Sequence, residues 1–175
     1  VGGSFYCLSN QLTSLQGAPQ EVGGDFMCSR NQLTSLQGAP QEVGGSFYCR
    51  YNQLTSLQGA PQEVGGDFVC NENQLTSLQG APQKVGGDFY CLSNQLTSLQ
   101  GAPQEVGGDF VVDDYLETEL RELLKDRSIP KSHENTINKK YNISSPTLYN
   151  IALQISKKYD DDYKIPIKDL KKEIS

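Results

Sequence analysis

The chain has 175 residues, 15 of them basic and 21 acidic, for a formal net charge of −6. That balance argues against a sequence-independent grip on nucleic acid, which works by displacing counterions with many cations. The length suits one domain with a small appendage, and the apolar runs are too short to suggest a membrane span or a secretory leader.

From its first residue the chain repeats. Val1, Val22, Val43, Val64, Val85 and Val106 open units of 21 residues, each reading V-G-G-(S/D)-F-x-C-x-x-N-Q-L-T-S-L-Q-G-A-P-Q-(E/K). The stretch NQLTSLQGAPQ is identical in five copies, and the sixth copy dissolves after Val112. A fixed period of this size signals a solenoid, propeller or array, and it is too short for the helix pairs of roughly 33-residue repeats. Three glycines and a proline per unit also oppose helix. Alternation at Phe5-Tyr6-Cys7 suits a short strand with Phe5 and Cys7 on one face. Gly17-Ala18-Pro19 suits a turn or extended return. One strand per rung and a compact return predict a parallel β-solenoid.

Phe5, Cys7, Asn10 and Leu12 form F-x-C-x-x-N-x-L, continued by Leu15. This resembles L-x-L-x-x-N-x-L, the core of the leucine-rich repeat, with Gly2 standing where that motif opens on leucine. N-Q-L-T-S-L followed by proline is similar to the short repeats of bacterial leucine-rich proteins and of phage-encoded proteins. The resemblance covers residues 1–112, as five full repeats and a partial sixth. It implies an α/β leucine-rich-repeat solenoid whose outward strand face is a concave binding surface, in a chain of bacterial or phage origin.

Phe5, Cys7, Leu12, Leu15 and Val22 are expected to point inward and stack on their copies, since one rung cannot bury such a face alone. Asn10, Asn31, Asn52, Asn73 and Asn94 form a column where the chain must turn, placed to bond backbone groups of their own rung and the next. The glycine pair and Gly17 are expected to supply backbone geometry that a Cβ would forbid. Cys7, Cys28, Cys49, Cys70 and Cys91 share one phase, and Val112 takes that place in the sixth copy. A valine there says that the position wants a small apolar side chain, so free buried thiols in a reducing cytosol are expected, with no disulfide and no metal site.

Variation between copies falls mainly at four phases; the other change is Lys84 in the column of Glu21. The first runs Ser4, Asp25, Ser46, Asp67 and Asp88; the second runs Tyr6, Met27, Tyr48, Val69 and Tyr90, with Val111 following. The third carries Leu8, Ser29, Arg50, Asn71 and Leu92, and the fourth Ser9, Arg30, Tyr51, Glu72 and Ser93. The first two point outward between inward residues, and the others flank the strand end. An exposed apolar and aromatic stripe marks an interaction site, and Tyr and Arg are favoured interface anchors. Candidate partner-binding residues are therefore Tyr6, Met27, Arg30, Tyr48, Arg50, Tyr51, Val69, Asn71, Glu72 and Tyr90.

Composition shifts near Asp113. Residues 1–112 hold three cations (Arg30, Arg50, Lys84) and nine acids; residues 113–175 hold 15 − 3 = 12 cations and 21 − 9 = 12 acids. Asp114–Glu117 resembles a capping box, and Leu116, Leu120, Leu123 and Leu124 share a helical face, which predicts a helical cap over the solenoid end. Further helices are predicted from Ser145-Pro146 and over Ile167–Ile174, so residues 113–175 read as a helical cap and tail. No catalytic constellation emerges: His133 is the lone histidine, and Asp160-Asp161-Asp162 lacks the glycine and distal glutamate of a calcium loop. The expectation is a non-enzymatic module without cofactor that binds a protein partner, not nucleic acid or membrane, in the cytoplasm of a bacterial or phage-infected cell. The alternative is a structural virion or fibre component that self-associates through the uncapped rung at Val1.

Overall fold

A computed structural model describes residues 1–113. They coil into a parallel β-solenoid in which each 21-residue unit is one turn. The helices predicted from Asp114, from Ser145 and over Ile167–Ile174 lie outside the described residues.

Each turn contributes two short strands, where the sequence suggested one. The Phe strands are β1 (Phe5–Tyr6), β3 (Phe26–Met27), β5 (Phe47–Tyr48), β7 (Phe68–Val69), β9 (Phe89–Cys91) and β11 (Phe110–Val112). Between them lie β2 (Glu21–Val22), β4 (Glu42–Val43), β6 (Glu63–Val64), β8 (Lys84–Val85) and β10 (Glu105–Val106). The first set forms a six-stranded sheet in the order β1-β3-β5-β7-β9-β11, the second a five-stranded sheet, β2-β4-β6-β8-β10. Every pairing is parallel and in register at one full repeat: Phe5 faces Phe26, Phe26 faces Phe47, and Val22 faces Val43. A two-residue strand carries too little alternation to be read from a sequence. The Glu-Val strands therefore emerge only from the stacking.

The core is a set of columns. Phe26, Phe47, Phe68 and Phe89 are fully buried, as are the leucines at the two Leu phases from Leu33 to Leu99 and Cys28, Cys49, Cys70 and Cys91. Neighbouring Phe rings lie 5.2–5.6 Å apart, with planes within 17° of parallel. That is the offset stack that aromatic quadrupoles favour. Phe5, Cys7 and Leu12 are only partly buried, whereas their copies in the following turns are packed between two neighbours.

Two kinds of glycine make this stacking work. Gly38 is the third residue of a turn closed by the Ala39 amide donating to the Leu36 carbonyl at 2.9 Å, and its φ is +88°. A type II turn demands that sign there, and glycine meets it without steric cost. Gly44 answers to crowding instead: a Cβ there would sit 2.5 Å from the Gly23 carbonyl oxygen of the turn below. The Gly-Gly pair thus sets how closely successive turns approach.

The asparagine column is internal and stitches turns together. Asn52 Nδ2 donates to the Cys49 carbonyl of its own turn at 3.0 Å and to the Cys28 carbonyl of the preceding turn at 3.1 Å. Its Oδ1 accepts the Leu33 amide, also of the preceding turn, at 3.1 Å. Asn31, Asn73 and Asn94 repeat the pattern, while Asn10 bonds only within its own turn, to the Cys7 and Leu8 carbonyls. The bridged neighbour is the preceding turn rather than the next.

Candidate binding face

The face begins with how each Phe strand ends. After the cysteine the chain must reverse, and it does so through one residue in the left-handed region. Ser9, Arg30, Tyr51, Glu72 and Ser93 have φ of 55–57°. Their amides still pair along the stack; Arg30 N–H donates to the Arg50 carbonyl at 3.0 Å and Tyr51 N–H to the Asn71 carbonyl at 3.1 Å. The asparagine side chain holds the inner edge of this bend, so the fourth-phase side chain is thrown outward. All five of these residues are exposed.

The second phase forms the expected stripe. Tyr6, Met27, Tyr48, Val69, Tyr90 and Val111 are in-register neighbours across the outer face of the six-stranded sheet. Tyr6 is 60% exposed; Met27, Tyr48, Tyr90 and Val111 are half-buried. Val69 is buried between the longer side chains of Tyr48 and Tyr90. Tyr90 donates its hydroxyl to Asp88 Oδ2 at 2.9 Å, and this bond to a carboxylate, with some burial, pushes its phenol up to about 12.

Where the third and fourth phases meet this stripe, the side chains cluster. The Arg30 guanidinium lies over the Tyr51 ring, 4.7 Å from its centre, and Arg50 approaches the same ring at 6.0 Å. Both distances are within the range of cation–π attraction. Tyr51 keeps 43% of its surface exposed. Ser29 sits between Arg30 in sequence and Arg50 one turn up; it is 7% exposed, and its Oγ is buried without a hydrogen-bond partner. Sequence reasoning did not single out Ser29. Its signal is faint: one small polar residue in a column otherwise of Leu, Arg and Asn.

The remaining candidates differ in how they are held. Asn71 Oδ1 accepts the Leu92 amide at 2.9 Å, which ties it to the next turn. Glu72 is exposed on the same bend as Arg30 and Tyr51. The first phase, expected to be outward decoration, is a second hydrogen-bonded ladder. Ser4 Oγ accepts the Asp25 amide at 2.9 Å, Asp25 Oδ1 the Ser46 amide at 2.8 Å, and Ser46 Oγ the Asp67 amide at 2.9 Å. Asp67 and Asp88 continue it to Asp109. Serine and aspartate share one property the ladder needs, an acceptor oxygen close to the backbone.

Asp113 ends the series. Its carboxylate accepts the Ser93 amide at 2.6 Å and the Asn94 amide at 3.2 Å, where lower turns use a main-chain carbonyl of the next turn for the first of these.

The thiols belong to the core rather than to chemistry. Burial pushes Cys28, Cys49 and Cys70 far above the ordinary thiol value, and half-buried Cys7 rises too. Deprotonation, which nucleophilic or metal-binding use requires, is thereby opposed. All five are free, and among the described residues no group of His, Cys, Asp and Glu is arranged to hold a metal ion. None of the described residues forms a helix long and apolar enough to cross a membrane. No family model, curated protein or solved structure matches the chain.

Proposed function

We propose that this chain is a non-enzymatic protein-binding module that engages its partner on the outer face of the six-stranded sheet. One observation carries the reading. Turns identical at eleven consecutive positions differ where the stripe and its flanking bend lie, and those places hold tyrosines, a methionine and two arginines. A continuous apolar and aromatic band on a sheet face is unusual for a surface without a partner. Tyr and Arg also dominate the energetic centres of protein interfaces.

The resemblance to leucine-rich repeats of bacterial and phage proteins supports the same reading, since their outward strand face is the usual contact surface. In that setting the module works in the cytoplasm of a bacterial or phage-infected cell.

The test is an affinity capture from lysate of the source cell, read by mass spectrometry. Wild type is compared with a quadruple variant, Tyr48→Ser, Arg50→Ser, Tyr51→Ser and Tyr90→Ser, whose folding is checked by circular dichroism. A protein retained by wild type and lost by the variant is the expected result. Equal retention by both would move the contact to another surface.

A further inference from the structure

Of the three cations among residues 1–112, two lie within one cluster. Lys84 is paired with Glu105 at 3.6 Å. Arg30 and Arg50 have no carboxylate within ion-pair distance among the described residues. Both instead rest against the Tyr51 ring, which restrains them while leaving their N–H edges unspent. Beside them is the buried Ser29 hydroxyl, which has no partner of its own.

The bend after each Phe strand is left-handed in every turn, at Ser9, Arg30, Tyr51, Glu72 and Ser93 alike. The scaffold sets the bend and turns the side chain outward, and nothing in the core requires arginine or tyrosine there.

Resting on the proposed use of this face, we infer that the cluster of Arg30, Arg50 and Tyr51 is a carboxylate clamp for an acidic peptide segment of the partner. Two guanidinium forks on neighbouring turns match carboxylates bidentately. Met27 and Tyr48 lie beside the clamp on the stripe, so the segment carries an apolar residue next to its acids. The rest of the domain selects for a short acidic run. Glu21, Glu42 and Glu63 stand in register on the five-stranded sheet, and Asp25, Asp67, Asp88 and Asp109 share the first phase. A long polyanion, such as a nucleic acid strand, would run across these charges; a short acidic pair held between Arg30 and Arg50 faces chiefly Glu72, one turn above Tyr51.

The experiment selects a displayed library of random twelve-residue peptides against the full 175-residue chain, in parallel with the Arg30→Gln/Arg50→Gln variant. Both side chains are exposed, so the variant keeps the fold, which thermal unfolding checks. The expected result is enrichment of peptides with paired Asp or Glu beside an aromatic or aliphatic residue. The variant should lose that acidic signature. A synthetic peptide from the wild-type selection should bind the variant roughly tenfold or more weakly per guanidinium removed, and more weakly at high salt. Apolar enrichment without acids, or an acidic signature unchanged in the variant, overturns the clamp and leaves the face as a binding surface. No enrichment on either protein overturns both readings. Tighter binding of an oligothymidylate probe than of the acidic peptide, lost in the variant, overturns the peptide in favour of single-stranded nucleic acid.

Discussion

At the scale of single residues, variable positions divide into those that fill a hydrogen-bonding slot and those that do not. The Ser/Asp ladder belongs to the first kind. Asp67 Oδ1 accepts the Asp88 amide at 2.9 Å, so Asp67→Ala leaves that part-buried donor without its partner. The expected loss is about 1–3 kcal/mol, read from urea unfolding. Asp67→Ser should cost far less, because Ser4 and Ser46 do the same work three turns and one turn below. Equal losses for alanine and serine would show that the side-chain acceptor is not what matters. This slot was hidden in the sequence by chemistry rather than by noise. Serine and aspartate look unlike as charges and alike as acceptors, and only the stacked amide shows which property counts. The asparagine column was legible because an invariant polar residue at a bend has few other uses. Its position decides its worth: Asn52 bonds three backbone groups over two turns, Asn10 two groups of one turn. Asn52→Ala is therefore expected to cost about 1–3 kcal/mol per stranded buried group, and Asn10→Ala clearly less, in the same unfolding assay.

Among elements, the Phe strands were legible and the Glu-Val strands were not, for a reason of length. Phe-x-Cys shows one alternation and repeats; Glu-Val shows a single inward residue, which any loop could supply. The cysteines close the Phe strands on the core side, and their chemistry gives the fold a pH limit. Folded Cys28, Cys49 and Cys70 hold their protons far above the ordinary value of 9.0, because burial opposes the thiolate. In the unfolded chain they ionise near that value. The folded state binds its protons more tightly, so this contribution is fully present below pH 9 and declines as pH rises beyond it. Each thiol can contribute a slope of up to about 1.4 kcal/mol per pH unit. Val112 shows that the same slot accepts valine. In Cys28→Val/Cys49→Val/Cys70→Val, the difference in stability from wild type should stay constant below pH 9 and shift steadily in the variant's favour above it. Denaturant titrations between pH 7 and 11 measure this, with a pH-independent difference as the adverse result. Tyr90, pushed up to about 12, should leave both proteins a shared residual decline near the top of that range.

For the whole molecule, the consequence of an exact period is that turns are interchangeable as structure and unequal as surface. Each turn bonds only its neighbours, so stability is close to a sum of turn and interface contributions. Excising residues 64–84 joins Glu63 to Val85, which repeats the Glu-Val junction found at every other turn. The ring stack, the asparagine column and both sheets close again with one member fewer. Excising residues 43–63 makes the same kind of junction, Glu42 to Val64, and removes a turn of the same scaffold. It also removes Arg50 and Tyr51, half of the clamp and its central ring. The two deletions should therefore unfold with similarly reduced cooperativity, seen as equal falls in the denaturant m-value, which tracks the surface exposed on unfolding. They should part company in binding. The acidic peptide selected on wild type should bind the chain lacking 64–84 and fail on the chain lacking 43–63. Loss of binding in both would mean that recognition needs the full length of the stripe, with Tyr48 and Tyr90 held two turns apart. Retention in both would place recognition away from Tyr51. The sequence displays the turn as a unit; what it cannot display is which neighbour a side chain meets one turn away. Arg30 meeting Tyr51 across 21 residues is a product of stacking alone, and it is there that the two equal deletions are expected to differ.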